Sequence, residues 1–307
     1  MTEPIKDILP RGEEQPDVQN LLIKLSSGIE ELVNFGTHIL NWDVSEGEGS
    51  DENLPVVMML RHLLELVDSI SILIRQSSID PCKLILRGVL ETVFGIEYIL
   101  QENTKYRALS FMVWHIHNQL KLSKKFRPGG QEYHQFEKKL KADSTGAFAP
   151  PNISGIVKNI QYLEHLLTLP LYAPIEAEYK RLEANGIKNP SWYQFFEGPK
   201  IIEQLAAYLN RNAFYEILYR GWSGPIHGTD IIESKLSEFE DGATKIVQIR
   251  YVKDAQTVAQ HTFNLTLMIY KVIIEKRIPR HLPELSKWFI TIRDFFLQLT
   301  NESLMKV

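Results

Sequence analysis

From Val18 to Leu40 the apolar residues recur at helical spacing, so this stretch predicts an amphipathic helix. Pro55 opens a second helix, carrying an apolar face to about Arg75, because proline at the first helical position lacks only a donor that would go unpaired anyway. Asp80 as cap and Pro81 as first residue repeat that signal for a third helix to about Leu100. A fourth, about Thr104 to Lys125, stops before the breaker Arg127-Pro128-Gly129-Gly130. The middle of the chain is less regular. It holds a short charged helix from Glu132 to Lys141, a loop around Ala149-Pro150-Pro151, and helical pieces between Ile153 and Ala184 punctuated by Pro170 and Pro174. Helical spacing returns after Pro199 and runs until Gly221, Gly224 and Pro225 interrupt it. Beyond Asp241-Gly242, Lys245 to Tyr251 alternates in polarity, the strand signal of a small hairpin near 238–252. Two further helices, about Ala255 to Lys276 and Pro283 to Leu299, follow.

These elements predict a mainly α fold: a helical bundle with extra helices and one small β-hairpin. A charged, proline-rich flexible arm covers 1–17, and 18–307 forms a single helical domain with an irregular central insertion at about 127–198. The absence of a repeat of about 20 to 50 residues argues against a solenoid.

Composition narrows the chemistry. An apolar content of 44% over 307 residues suffices for a core without staples. The net charge of -4 gives no general pull toward nucleic acid, so RNA binding needs a local basic patch or a second subunit. Two basic groups flank the Pro-Gly loop, Lys121, Lys124, Lys125 and Arg127 before it, and Lys138, Lys139 and Lys141 after it; they read as a solvated face or as an RNA-backbone patch. A single cysteine, Cys82, rules out an intramolecular disulfide and a cysteine-rich zinc site, and it reads as a buried, inert thiol. Residues 1–17 lack the apolar core of a signal peptide, and no run of ~20 apolar residues follows, so a cytoplasmic protein without a membrane span is expected.

The third helix, Leu84 to Tyr98, is apolar nearly all round and is expected to be buried, interrupted by Arg87 and Glu91. Those two lie four residues apart on one face, and Tyr98 returns to nearly the same azimuth at about 100° per residue. An arginine in such a helix calls for a buried partner, so a structural Arg87–Glu91 ion pair and a functional role both stand. Arg61 and Glu65 share the spacing among polar neighbours and read as a solvated pair. His115 and His117, roughly 200° apart on a helix, make a poor chelate. His-Glu-x-x-His, phosphate-loop, dinucleotide and nucleophile-elbow motifs are all absent.

The densest chemistry lies in Phe214 to Gly228. Tyr219, Ser223 and His227 recur every four residues, with Arg220 between them. A histidine that titrates near neutral pH, a permanent cation and two hydroxyls suit acid/base work on a phosphate. The same side chains could also simply satisfy one another in a helical core.

An Arg-x-x-x-Glu helix paired with a later Tyr-x-x-x-Ser-x-x-x-His segment resembles an uncharacterised bacterial family (DUF series, 5677). Arg220 and His227, with six residues between them, are also similar to the Arg-(four to six)-His signature of the HEPN superfamily. The resemblance covers roughly Leu60 to Tyr270, with Asn210 beside the motif, and departs from it where Gly221, Gly224 and Pro225 kink a helix that would usually be continuous. It implies a HEPN-like helical bundle, a homodimer, and a metal-independent endoribonuclease that serves as a toxin or phage-defence effector. Arg220, His227, Ser223 and Tyr219 would then be catalytic, supported by Arg87, Glu91, Tyr98 and Asn210, with no metal or cofactor. RNA is the implied substrate, and a neutralising or activating protein the implied partner. The dimer is also suggested by Trp288, Phe289, Phe295 and Phe296, more apolar surface than one bundle face needs. The alternative is a non-catalytic helical sensor or adaptor that holds a small ligand or protein partner in the same pocket.

Overall fold

A computed structural model describes residues 2–10, 15–46, 52–143, 151–222, 235–238, 244–301 and 303–304. The protein is mainly α. Its helices are α1 (Pro16–Glu46), α2 (Leu54–Arg75), α3 (Ile79–Gln101), α4 (Thr104–Phe126), α5 (Gln131–Lys141), α6 (Ile156–Leu166) and α7 (Ala173–Ala184). After a 3-10 turn at Trp192–Glu197 come α8 (Ile202–Tyr208), the single turn α9 (Asn212–Phe214), α10 (Ala255–Arg277) and α11 (Leu282–Asn301). The expected helix at Val18 is longer than its apolar pattern, because the polar stretch Asn41 to Glu46 stays helical.

Contacts divide the chain into two compact units, Met1–Glu102 with Ile202–Val307, and Asn103–Ile201. In the first unit α1 packs on α2, α2 on α3, α3 on α10 and α10 on α1, which closes a four-helix bundle with α11 laid against α10 and α1. Its core takes Leu25, Ile29, Leu32, Leu63, Val67, Val89, Val93, Phe94, Phe263 and Ile269 out of water. Burial of each such side chain contributes about 1.5 to 3 kcal/mol before the entropy of ordering is set against it. Gly36 marks a close helix approach, where a Cβ would overlap the Tyr270 hydroxyl and Leu64. That hydroxyl is itself buried and donates to the Leu32 carbonyl at 2.8 Å.

The second unit builds its own core from α4, α6, α7 and the 3-10 turn, through Leu109, Val113, Ile116, Ile160, Ile175, Tyr179 and Phe195. The stretch 127–198 expected as an insertion lies within this unit, which also takes in α4.

The hairpin is real but shorter and placed earlier than its alternation suggested. β1 (Leu236–Glu238) pairs antiparallel with β2 (Thr244–Ile246), with Leu236 opposite Ile246. Ile246 and Ile249 are exposed, so no core rewards a longer strand. Past β2, Ile249 N–H donates instead to the Ile8 carbonyl at 2.9 Å.

Cys82 is fully buried, and burial pushes its thiol up to about 12, which leaves it inert. The Arg61–Glu65 pair, at 2.8 Å, is solvated. The four aromatic residues of α11 find partners inside the chain: Trp288 stacks on Phe35 at 4.0 Å, Phe295 and Phe296 lie against Phe263, and Phe289 lies against Phe296.

Candidate functional site

The segment carrying Tyr219 and Arg220 is shaped by its own backbone. Asn210 takes a left-handed φ of 57° and closes the end of α8, its N–H donating to the Ala207 carbonyl at 3.0 Å. Asparagine tolerates that conformation better than most residues, so Asn210 is here a turn residue, exposed to water. The chain then enters α9 and passes directly into a π-helical turn, Tyr215–Arg220. The Gly221 N–H reaches back five residues to the Glu216 carbonyl at 2.9 Å. A Cβ at Gly221 would stand 2.6 Å from the Ile217 carbonyl oxygen, so this wider turn needs glycine. Turns of this kind are rare and recur at functional sites. Here the turn stacks Tyr215 on Tyr219, centroids 5.2 Å apart, and brings Arg220 Nη1 within 3.2 Å of Glu216.

Behind this segment runs α3, antiparallel to it. Tyr98 meets Tyr208 edge to face at 5.5 Å, and Arg211 donates to Glu97 at 2.7 Å. Further back along α3 the Arg87 guanidinium covers the Tyr219 ring at 3.7 Å, and the Lys83 ammonium lies 6.0 Å from the Trp222 ring centre. As the α3 number falls from 98 to 83, the partner number rises from 208 to 222. Tyr98 is thus buried beneath α8, away from Arg87.

The expectation that Arg87 and Glu91 are both buried is corrected. The Arg87 side chain is 22% exposed and that of Glu91 48%, with Nε–Oε1 at 3.3 Å. The flank of α3 that bears them faces the 208–222 segment and solvent, so the partner that matters for Arg87 is the Tyr219 ring. A cation over a ring contributes about 0.5 to 2 kcal/mol, and Glu91 keeps its water when its partner is gone. Arg87→Ala should therefore lower the unfolding free energy by about 1 to 2 kcal/mol in urea titration. A loss as large as the ~3 to 5 kcal/mol typical of a broken buried pair would contradict this geometry.

Arg220 is at the surface, its side chain 61% exposed beside an equally accessible Glu216. The hydrogen bond and charge of Glu216 push the guanidinium pKa up, so the cation is permanent. An exposed i,i+4 pair of this sort is worth only about 0.3 to 0.5 kcal/mol. Ser223 and His227 lie outside the described residues.

Trp222, the residue before Ser223, adds two contacts that no sequence motif announced. Beyond Lys83 of α3, its ring meets His261 of α10 edge to face, centroids 5.7 Å apart. Lys83 is held by Asp254 at 2.6 Å and Asp80 at 3.0 Å, and Asp80 also pairs with Lys235.

The second unit holds a separate polar cluster. His117 Nε2 lies 2.6 Å from Glu176, its ring stacks on Tyr179 at 3.6 Å, and Lys121 donates to the Tyr179 hydroxyl at 2.7 Å. Burial raises the Glu176 carboxyl, but hydrogen bonds from His117 and Lys180 outweigh that and hold it below its ordinary value. Lys121 and Lys124 from the basic run are thereby engaged, Lys124 with Glu164 at 3.3 Å, and Lys141 pairs with Glu137 at 3.0 Å. In the sequence His117 and Lys121 share a helix face, yet their partners stand nearly sixty residues away and share no motif with them.

Among the described residues no group of three or more histidines, cysteines or carboxylates is placed to hold a metal ion, and no helix is long and apolar enough to cross a membrane. Fold and site together define a helical-bundle protein whose arginine- and tyrosine-bearing π-turn is backed by a helix of the bundle. Residues 53–243 match a family of unknown function, DUF5677, and the chain belongs to that family. No curated protein and no solved structure matches the chain.

Proposed function

We propose that the protein is a HEPN-like, metal-independent endoribonuclease, acting as a toxin or phage-defence effector, with its site at Tyr219, Arg220, Ser223 and His227. The observation that supports this reading is the pair of arginines flanking one tyrosine: Arg87 covers the Tyr219 ring at 3.7 Å, while Arg220, next in the chain, is exposed and paired with Glu216 at 3.2 Å. In the sequence Arg220 leads into the segment that bears His227, and the reading assigns both to one phosphodiester. His227 removes a proton from the ribose 2'-hydroxyl or delivers one to the departing 5'-oxygen, and Arg220 stabilises the charge that gathers on the phosphate. The nucleophile is the substrate's own hydroxyl. Arg87 and Glu91 act behind the site, as supports of Tyr219.

The test is cleavage of single-stranded RNA by purified protein in the presence of EDTA. RNA should be cut to fragments ending in a 2',3'-cyclic phosphate, while DNA of the same sequence survives because it lacks the attacking hydroxyl. Cleavage of both polymers, or cleavage that stops when EDTA is added, would reject the mechanism. A protein that binds a ligand or partner through Arg220 and leaves RNA whole would fit the sensor or adaptor instead. The same reading includes a homodimer, supported by the exposed Ile290 and Leu297, which lie one heptad apart on α11. Light scattering at micromolar concentration should give twice the chain mass, and a monomer would remove that part of the reading.

A further inference from the structure

We infer that two copies of the chain pair along α11, parallel and in register, so that Ile290 and Leu297 of one copy pack on the same two residues of the other. This placement rests on the homodimer of the proposed function and is independent of the ribonuclease chemistry.

The helix itself defines the face. Ile292 and Leu299 are the buried residues of α11 and set its inward direction. At about 100° per residue, Ile290 and Leu297 stand on the opposite side, and they are 63% and 46% exposed. The rings nearer the inward side are already engaged within the chain, Trp288 with Phe35 and Phe295 with Phe263. Two branched aliphatic side chains one heptad apart thus form an outward stripe about 10 Å long. Covering both at once takes the most apolar area out of water, so a partner that matches both is favoured over one that matches either alone.

Charge selects a second copy as that partner, and its direction. Arg293 and Asp294 lie about 50° to either side of the stripe, both exposed, and in the single chain they pair with each other at 3.1 Å. A two-fold axis parallel to α11 turns the arginine flank of one copy toward the aspartate flank of the other. Arg293 then meets the partner's Asp294, and an isologous contact makes that pairing twice. Lys287, on the aspartate flank, meets the uncharged side chain of the partner's Ser286. Antiparallel packing joins like flanks instead. In the register that covers both apolar residues it sets Arg293 against the partner's Arg293 and Asp294 against the partner's Asp294. A register shifted to set Lys287 beside the partner's Asp294 leaves Leu297 opposite the partner's Pro283, and one aliphatic layer is lost. Only the parallel pair satisfies both the apolar stripe and its charges. One helix face is smaller than the usual stable interface of roughly 1,600 Å², so the dimer should form at micromolar concentration and separate on dilution to nanomolar.

The full-length chain tests this by light scattering and by cross-linking. Ile290→Glu, at an exposed position, should keep the helical circular dichroism of the wild type and give the monomer mass at micromolar concentration. Arg293→Asp should weaken the dimer on the order of tenfold, and adding Asp294→Arg to it should restore the wild-type affinity, because the opposed pairs are rebuilt with their signs exchanged. Leu297→Cys should link to itself under mild oxidation, since a parallel in-register pair brings each Cβ to about 3.5 to 4.5 Å from its own copy, and the natural Cys82 is buried away from the reaction. A dimer that survives Ile290→Glu, or a dimeric Leu297→Cys that does not cross-link, overturns this placement and leaves the homodimer standing. A wild type that stays monomeric at micromolar concentration overturns both, and RNA cleavage by that monomer would still uphold the ribonuclease reading.

Discussion

Arg277→Ala should cost the fold about 3 to 5 kcal/mol in urea unfolding, the largest stability loss expected of any single charged residue in the first unit. Arg277, near the end of α10, donates through Nε to Asp43 of α1 at 2.7 Å and through Nη1 to Asn53 at 2.9 Å. The side chains are 9% and 2% exposed, so water cannot take over when one partner goes. Asp43 also has its second carboxylate oxygen buried without a partner among the described residues, which leaves Arg277 as the charge that compensates it there. Deleting the arginine strands a carboxylate in a low-dielectric setting. The pair itself adds little over a well-packed apolar replacement, since two charges must be desolvated to form it. Arg277→Met combined with Asp43→Leu should therefore recover most of the stability lost in Arg277→Ala. A double variant as unstable as the single one would show that packing around the guanidinium, rather than charge compensation, holds these helices together.

The same contact shows why the first helix was only partly readable. Proline and glycine punctuation places the ends of α2 and α4 within a residue or two, because backbone rules act locally. The last turn of α1 is polar, and it stays helical because a residue more than two hundred positions away draws Asp43 inward. Alternation at Lys245 to Tyr251 suggested a longer strand than forms, since polarity repeats on their own do not supply a surface to pack against. On α3, the spacing of Arg87 and Glu91 gives their ion pair, which forms at 3.3 Å, but it does not give the further partners: Arg87 also covers Tyr219, and Tyr98 meets Tyr208. Hydrogen bonds that reach back five residues leave no periodic trace, so in the sequence the π-turn that aligns Tyr215 with Tyr219 looks like an ordinary helix ending at glycine. His261 and Trp222 meet through the closing of the bundle, and neither belongs to a recognisable motif.

If the ribonuclease reading holds, His227→Ala should lower the cleavage rate by on the order of 10² to 10⁴ with the melting temperature unchanged, because that is the usual contribution of one positioned acid or base. Arg220→Ala should fall in a similar range. It removes a cation from developing negative charge, and a melting temperature measured beside the rate separates that loss from any effect on folding. Glu216→Gln offers a check of opposite sign: with its competitor neutralised, Arg220 should hold a phosphate more tightly, lowering KM and leaving kcat nearly as it was. The pH profile then tells which proton His227 moves. A histidine acting as base must be neutral, so activity would rise with pH through its titration and hold above it, whereas one acting as acid must be charged and activity would fall over the same range. Cleavage undiminished in both His227→Ala and Arg220→Ala would remove the assignment of the reaction to this segment.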